Sequence, residues 1–202
     1  MLNIEQIRTR LADYQPRLLP QESDRHAAVA MLLRDNNRQT EVLLIRRAEH
    51  DRDPWSGDLG FPGGRIEKSD PSPRAAAERE TWEEVGFFLN EENYLGQSDD
   101  IAGAYLSVHI SCFVYQVEMN TQFKLNGEVV DLFWVPIPTL LDPQRNQQLT
   151  FFYRGQERKH PGINLSEWSD RPLWGITYRL LDTFLNLFDL SFPYPEDLQP
   201  GE

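Results

Sequence analysis

The segment that most constrains the fold is "FPGGRIEKSDPSPRAAAERETWEEVGF", residues 61–87, which joins a glycine pair to an acidic, alanine-rich stretch. Ser69 or Asp70 can cap a helix, and Pro71 is tolerated in a first helical turn. The alanines that follow support a helix interior, and Gly86 is a suitable C-terminal stop. We therefore expect a helix that begins near residue 71 and ends at Gly86, preceded by a glycine turn.

Three carboxylates share one face of this helix, because a helix turns by about 100° per residue. They belong to Glu80, Glu83 and Glu84. Arg79 lies on the flank of that face, and the small Ala76 and Ala77 lie one turn earlier, where we expect them to leave room above the helix. The opposite side carries Trp82 and Val85, which we expect to pack inward.

Crowded carboxylates repel one another, and like charges at this spacing cost a helix a few tenths of a kcal/mol. A divalent cation would offset that repulsion, since Mg²⁺ and Mn²⁺ take carboxylates together with water and phosphate oxygens. Arg79 could orient one carboxylate through a bidentate contact, and the glycine turn lets backbone approach a metal or a phosphate closely. The alternative is a solvated acidic face on a surface helix.

The charge balance limits the possible partners of the chain. The 202 residues include 32 Asp and Glu against 20 Lys and Arg, a net charge of -12, which disfavours nucleic-acid binding. A phosphate-bearing substrate would need cations or a few arginines as a shield. Cys112 is the single cysteine, and no apolar stretch reaches the ~20 residues of a membrane span. We expect a cytoplasmic protein with no membrane association.

Apolar periodicity predicts one α/β domain with terminal extensions. The sequence "NIEQIRTRLADY" has helical spacing, and "HAAVAMLLR" and "EVLLIRRA" indicate a hairpin of two strands. Further strands are predicted at "LSVHISCFVYQV", "VVDLFWVPI" and "LTFFYRG", before a final helix at "GITYRLLDTFLNLF". We divide the chain into an N-terminal helix and connector (1–25), a domain (26–190) and a C-terminal tail (191–202).

The glycine turn and acidic helix resemble the Nudix box, in which a glycine and an isolated Glu precede an Arg-Glu and a Glu-Glu pair. Gly64 matches the first glycine, and Asp70 stands where the isolated Glu belongs. The other matching positions are Arg79, Glu80, Glu83, Glu84, Gly86 and Phe87. The chain departs from the pattern at Asp70, at Thr81 and in the eight-residue gap between Asp70 and Arg79.

This resemblance implies an α/β/α sandwich with a mixed sheet that hydrolyses a nucleotide-type diphosphate with Mg²⁺ or Mn²⁺. It implies that metal ligands come from Glu80, Glu83, Glu84 and the backbone at Gly63 or Gly64. Arg79 would be the orienting residue. The general base varies among family members, so it is either a glutamate of the helix or a loop residue, for which Glu128 is our candidate.

A second resemblance, to coenzyme A pyrophosphatases, concerns the substrate. Leu43, Leu44 and Arg47 align with the start of that subgroup's upstream signature, and Gly57 and residues 61–64 align with its end. The resemblance implies coenzyme A as the leading substrate. ADP-ribose or another nucleoside diphosphate derivative remains the alternative.

Basic and aromatic residues upstream of the helix are candidates for substrate contacts. We expect phosphate contacts from Arg46, Arg47, Arg52 and Arg65, and ring stacking from Trp55. Two other functions stay open: a module that binds nucleotides without catalysis, and removal of 5′ diphosphates from RNA, which the acidic charge disfavours. Residues 1–25 are either a homodimer element or a cap on the domain.

Overall fold

The computed structural model describes residues 2–20, 26–36, 39–50, 56–103, 108–153 and 155–193. The helices are α1 (Ile4–Ala12), α2 (Pro73–Val85), α3 (Ile137–Leu140) and α4 (Gly175–Asn186). The first strands are β1 (His26–Asp35), β2 (Thr40–Arg47), β3 (Leu59–Gly60), β4 (Gly63–Arg65), β5 (Tyr94–Gln97) and β6 (Ile101–Ala102). They are followed by β7 (His109–Gln116), β8 (Val129–Pro136), β9 (Asn146–Tyr153), β10 (Gln156–Ile163) and β11 (Leu173–Trp174).

The main sheet is mixed, as predicted. β1 and β7 run parallel over eight residue pairs, whereas β1 pairs antiparallel with β2 and with β4. β8 pairs antiparallel with β2, and β5 and β6 pair with β7. The strands β9, β10 and β11 form a separate antiparallel sheet. The predicted hairpin and each predicted strand are present.

Helices cover both faces of the main sheet. Along β1, Met31 and Leu33 belong to one apolar cluster with α1 and α4, and Ala30 and Leu32 belong to a second cluster with α2. Successive residues of a strand point to opposite faces, so this alternation fixes three layers. The predicted α/β/α sandwich is confirmed.

Helix α2 begins two residues later than predicted. The side chain of Ser72 accepts a hydrogen bond from the backbone N–H of Ala75, and Pro73 occupies the first helical turn. The serine is the better cap because its hydroxyl reaches that amide, while Pro71 remains outside the helix. The predicted end is confirmed, since Gly86 adopts a left-handed conformation with φ of 66°.

Two predictions for the faces of α2 were wrong. Ala76 and Ala77 are fully buried against the sheet, so these small side chains allow a close helix approach and leave no open space. Trp82 is 55% exposed and contacts the ring of Phe88 edge-on, with centroids 6.5 Å apart. Burial of Glu84 on the inner face turns the tryptophan outward.

The N-terminal segment packs on the domain of its own chain. Ile4, Ile7 and Leu11 of α1 are buried in the cluster that includes α4. In the connector, the Leu19 N–H donates to the carboxylate of Asp100 at 2.9 Å. Residues 2–20 therefore pack on the domain, while the role of residues 1–25 as a cap or a homodimer element and the domain boundaries at 25/26 and 190/191 stay predictions.

None of the helices in the described residues has the length and apolar composition needed to cross a bilayer. The cytoplasmic location stays a prediction. Residues 194–202 of the expected C-terminal tail lie outside the described residues, and Phe192, within the tail, is buried.

Candidate functional site

Glu84 is the buried carboxylate at the junction of α2 and the glycine turn. Its side chain is 2% exposed, and its Oε2 accepts a hydrogen bond of 2.9 Å from the N–H of Gly63. Arg47 Nη1 lies 3.5 Å from the other carboxylate oxygen. Burial raises the pKa of Glu84 to about 7, although both of these contacts favour the anion. Burial is thus the dominant influence on the Glu84 carboxyl, and it favours the neutral form.

Glu80 lies directly over Gly64. A Cβ atom placed on Gly64 would come within 2.6 Å of the Glu80 carboxyl carbon and 2.7 Å of each of its oxygens. Burial raises the pKa of Glu80, and the neighbouring charges of Glu83 and Glu128 add to that increase while Arg79 opposes it. The glycine therefore creates the space that the Glu80 carboxylate occupies.

Arg79 connects the acidic residues around the turn. Its Nε and Nη2 each donate to a different oxygen of Asp70 at 2.9 Å, and its Nη1 donates to Glu80 at 2.8 Å and to Glu83 at 3.4 Å. The hydrogen bonds to Asp70 raise the pKa of Arg79 above its ordinary range, and the same bonds lower the pKa of Asp70. The bidentate contact predicted for Arg79 therefore goes to Asp70, and not to a carboxylate of the helix.

The acidic face of α2, formed by Glu80, Glu83 and Glu84, is a candidate site for a divalent metal. Within the described residues, no three His, Cys, Asp or Glu side chains already converge as a metal site requires. Glu83 is 52% exposed, whereas Glu80 and Glu84 are held against the glycine turn. Three carboxylates within five positions nevertheless supply the oxygen donors that Mg²⁺ and Mn²⁺ prefer. The donor set fits such an ion, and the metal roles of Glu80, Glu83, Glu84 and Gly64 stay predictions.

The predicted phosphate-binding arginines lie in different environments. Arg46 Nη1 pairs with Asp170 at 2.8 Å, on the opposite side of β2 from Glu84. Arg65 is exposed at the end of β4, and its carbonyl accepts a hydrogen bond of 3.2 Å from Arg79. Arg52 and Trp55 lie outside the described residues.

Glu128, the candidate base, is exposed in the turn before β8. Its carbonyl accepts a hydrogen bond of 2.8 Å from the N–H of Ala48, just after β2. Its charge raises the pKa values of both Glu80 and Glu84, which places it on the same side of the molecule as the acidic face of α2.

Sequence reasoning missed the contacts that join the C-terminal helix to the loop before the glycine turn. Trp174 Nε1 donates to Asp58 at 3.0 Å, and Thr177 Oγ1 donates to the carbonyl of Leu59 at 2.9 Å. More than 110 residues separate the partners in each pair, so no local sequence pattern could have revealed them. These bonds support the backbone that leads into Gly63.

Comparisons with known proteins agree on one family. The family model described as NUDIX domain matches residues 24–154. A protein of Schizosaccharomyces pombe named "Probable nudix hydrolase" is 33% identical over 163 residues, which cover 80% of this chain and 55% of that protein. The NudL protein of Yersinia pestis, named as a Nudix hydrolase, is 30% identical over 141 residues, which cover 69% of this chain and 68% of NudL.

The fold has a counterpart among solved structures. A crystal structure of a MutT/nudix family protein from Enterococcus faecalis superposes with a TM-score of 0.58 at 18% identity, covering 92% of this chain and 69% of that one. Two relatives from S. pombe are longer than this chain, which matches 55% of one and 48% of the other.

Proposed function

Because the chain belongs to the NUDIX domain family, we propose that it is a metal-dependent pyrophosphohydrolase that cleaves a diphosphate linkage in a nucleotide-type substrate. The observation that carries this proposal is the placement of Glu80 and Glu84 against Gly64 and Gly63. Two partly or fully buried carboxylates beside a side-chain-free turn form an acidic recess, and a surface helix has no need of one. Diphosphate hydrolysis requires such a recess to hold cations between an acidic protein and an anionic substrate.

Family members generally use divalent metal ions. In our proposal Glu80, Glu83 and Glu84, together with the backbone at Gly64, hold Mg²⁺ or Mn²⁺. When bound, such an ion neutralises charge on the diphosphate and lowers the pKa of coordinated water. The net charge of -12 is compatible with a polyanionic substrate under this arrangement.

The residues of the chain divide the remaining tasks. Arg79 is tethered by Asp70 and orients Glu80 through its Nη1 group, a role typical of residues behind metal ligands. A carboxylate must also accept a proton from the attacking water. We propose either a helix glutamate, Glu83 or Glu84, or the exposed loop residue Glu128 for this role.

We propose coenzyme A as the leading substrate, cleaved to 3′,5′-ADP and 4′-phosphopantetheine, with ADP-ribose or another nucleoside diphosphate derivative as the alternative. Support comes from the sequence resemblance at Leu43, Leu44, Arg47, Gly57 and residues 61–64. Arg65 is a proposed phosphate contact, because it is exposed beside the glycine turn. The predicted role of Trp55 in substrate binding belongs to the same proposal, whereas Arg46, which pairs with Asp170 on the other face of β2, is not part of it.

The proposal is tested with a panel of coenzyme A, ADP-ribose, NADH, diadenosine polyphosphates and nucleoside triphosphates, each incubated with Mg²⁺ or Mn²⁺. Mass spectrometry identifies the products. We expect cleavage of at least one substrate, and loss of turnover with retained folding in Glu83→Gln and Glu84→Gln. Glu92→Gln, which changes an exposed glutamate outside α2, is the matched control.

Absence of product from every compound would overturn the proposal. If calorimetry then found tight nucleotide binding that a chelator leaves unchanged, the chain would be a non-catalytic binding module.

A further inference from the structure

Arg46 and Arg47 are neighbours in β2 but serve opposite faces of the sheet. Leu43 and Ile45 contact the apolar cluster of α2, so the alternation of the strand places Arg47 on the α2 side and Arg46 on the other. The contacts agree with this, since Arg46 pairs with Asp170 and Arg47 pairs with Glu84. Arg47 is therefore the arginine of β2 that faces the acidic recess.

The two oxygens of Glu84 are held from two directions. The N–H of Gly63 donates to Oε2 at 2.9 Å, and Nη1 of Arg47 lies 3.5 Å from Oε1. The carboxylate is 2% exposed, whereas the Arg47 side chain is 28% exposed. A carboxylate buried to this extent has few positions open to it, so a contact to one of its oxygens helps to fix its orientation, and Arg47 is the side chain that makes that contact.

The backbone around Arg47 is fixed by neighbouring strands. Its N–H donates to the carbonyl of Asp58 at 3.1 Å, and the next N–H, of Ala48, donates to the carbonyl of Glu128 at 2.8 Å. The pairing of β2 with β8 is irregular between Arg46 and Arg47. The residue skipped in this pairing is Val130 of β8, so the alternation of side chains along β2 continues through Arg47. Arg47 thus points toward Glu84 from a backbone that is itself held in place.

We propose that Arg47 is a positioning residue that acts through Glu84, and that the phosphates of the substrate are not its main partner. This inference rests on the proposed function, and it replaces the expectation that Arg47 is a phosphate contact. The argument is geometric: Arg47 already contacts a buried carboxylate at the point where that carboxylate meets the glycine turn. Such a residue governs how Glu84 presents its oxygens to a cation or a water molecule.

The test is a double-mutant cycle of Arg47→Met, Glu84→Gln and the combined variant. Turnover is measured on the substrate that the panel identifies, and Mn²⁺ affinity is measured by electron paramagnetic resonance without substrate. Arg34→Met is the matched control, since Arg34 pairs with the buried Glu41 at 2.7 Å in the same sheet, away from the recess. Arg47→Lys provides a second variant if Arg47→Met does not fold.

We expect Arg47→Met to lower kcat by about tenfold or more, with KM within about twofold, and to shift the Mn²⁺ dissociation constant by about tenfold. In the Glu84→Gln background the same substitution should change neither quantity. Arg47→Lys should recover part of the loss in kcat, and Arg34→Met should change neither kcat nor the Mn²⁺ affinity.

Two outcomes would overturn the inference. One is a rise in KM without a fall in kcat, as for a phosphate ligand. The other is a combined variant whose loss of kcat and of Mn²⁺ affinity equals the product of the losses in Arg47→Met and Glu84→Gln. If no compound of the panel is cleaved, the proposed function fails, and the Mn²⁺ cycle alone decides the relation between Arg47 and Glu84.

Discussion

Asp70 accepts two hydrogen bonds of 2.9 Å from Arg79, so a residue in the loop before α2 fixes an arginine in the middle of that helix. The Asp70 side chain is 5% exposed, and Arg79 lowers its pKa. The remaining nitrogen of Arg79, Nη1, donates to Glu80 and Glu83, so the pair links the loop to two carboxylates of the helix. Asp70, which stands where the Nudix pattern has a glutamate, thus holds Arg79 in place.

We predict that Asp70→Asn lowers turnover by about tenfold to a hundredfold, because Arg79 loses the carboxylate that orients it. A depressed pKa in the folded state stabilises the fold above the unfolded-state pKa of about 4, and that contribution disappears as the pH falls through the lower folded-state pKa. The stability difference between wild type and Asp70→Asn should therefore be present at pH 7 and vanish at strongly acid pH. Urea unfolding from pH 2 to 7 measures it. A difference that is independent of pH would contradict the prediction.

Gly64→Ala should impair the site while sparing the fold. The added Cβ would meet only the far end of the flexible Glu80 side chain, at 2.6 Å, so the carboxylate must move away. We expect a stability change within about 1 kcal/mol, but a loss of Mn²⁺ affinity and of turnover of about tenfold or more. Thermal unfolding and metal titration distinguish the two effects. Unchanged metal binding would show that the position of Glu80 does not matter.

Gly63→Ala is the contrasting variant, and it should damage the fold itself. Gly63 has φ of 151°, and an added Cβ would lie 2.4 Å from the backbone oxygen of Ala28. The backbone of β1 cannot yield as a side chain can, so we expect destabilisation of about 2 kcal/mol or more. Urea unfolding measures this value. A stability equal to that of Gly64→Ala would refute the distinction between the two glycines.

The raised pKa of Glu84 predicts a pH-dependent stability in the absence of metal. Below the ordinary glutamate pKa of about 4.3, the side chain is neutral in both states, so it imposes no electrostatic cost. As the pH rises toward about 7, the unfolded chain ionises first, and folding stability falls. The loss should reach about 3 kcal/mol above pH 7, and Glu84→Gln should remove it. Urea unfolding in EDTA between pH 4 and 9 provides the measurement, and a parallel dependence in the variant would contradict the assignment.

Glu128→Gln separates the two candidates for the general base. Glu128 is exposed, so the substitution should leave stability unchanged. If Glu128 accepts the proton, kcat should fall by about a hundredfold with little change in KM. Glu118→Gln, at another exposed loop position, is the control. An unaltered kcat in Glu128→Gln would assign the base to the helix.

Local sequence patterns predicted most of the fold, because apolar spacing and glycine positions determine where strands and helices lie and where they end. The apolar runs of β1 and β2 match strands that are buried on both faces of a sheet, and Gly86 ends α2 in a left-handed conformation. The start of α2 was less certain, since Ser69, Asp70 and Ser72 are all capable caps. The choice of Ser72 frees Asp70 for Arg79, a preference that only tertiary contacts express.

Side-chain directions and contact partners inside the site depend on packing between residues that are far apart in the chain. Local patterns in a single sequence do not reveal them. Helical geometry predicted a shared face for the three glutamates but could not show that Glu84 turns toward Gly63 and Trp82 toward solvent. The partner of Arg47 was also inaccessible, because 37 residues separate it from Glu84. The same applies to the bond from Trp174 of β11 to Asp58 and the bond from Thr177 of α4 to Leu59.

Cys112 lies in the centre of β7 and is shielded from solvent in the folded chain. The chain contains a single cysteine, and it is fully buried beside the parallel pair of strands, where burial raises the pKa of its thiol. A buried thiol of raised pKa resists alkylation. A maleimide should therefore react with Cys112 only after β7 has opened. The rate of maleimide labelling thus measures the rate of that opening, and no engineered cysteine is needed.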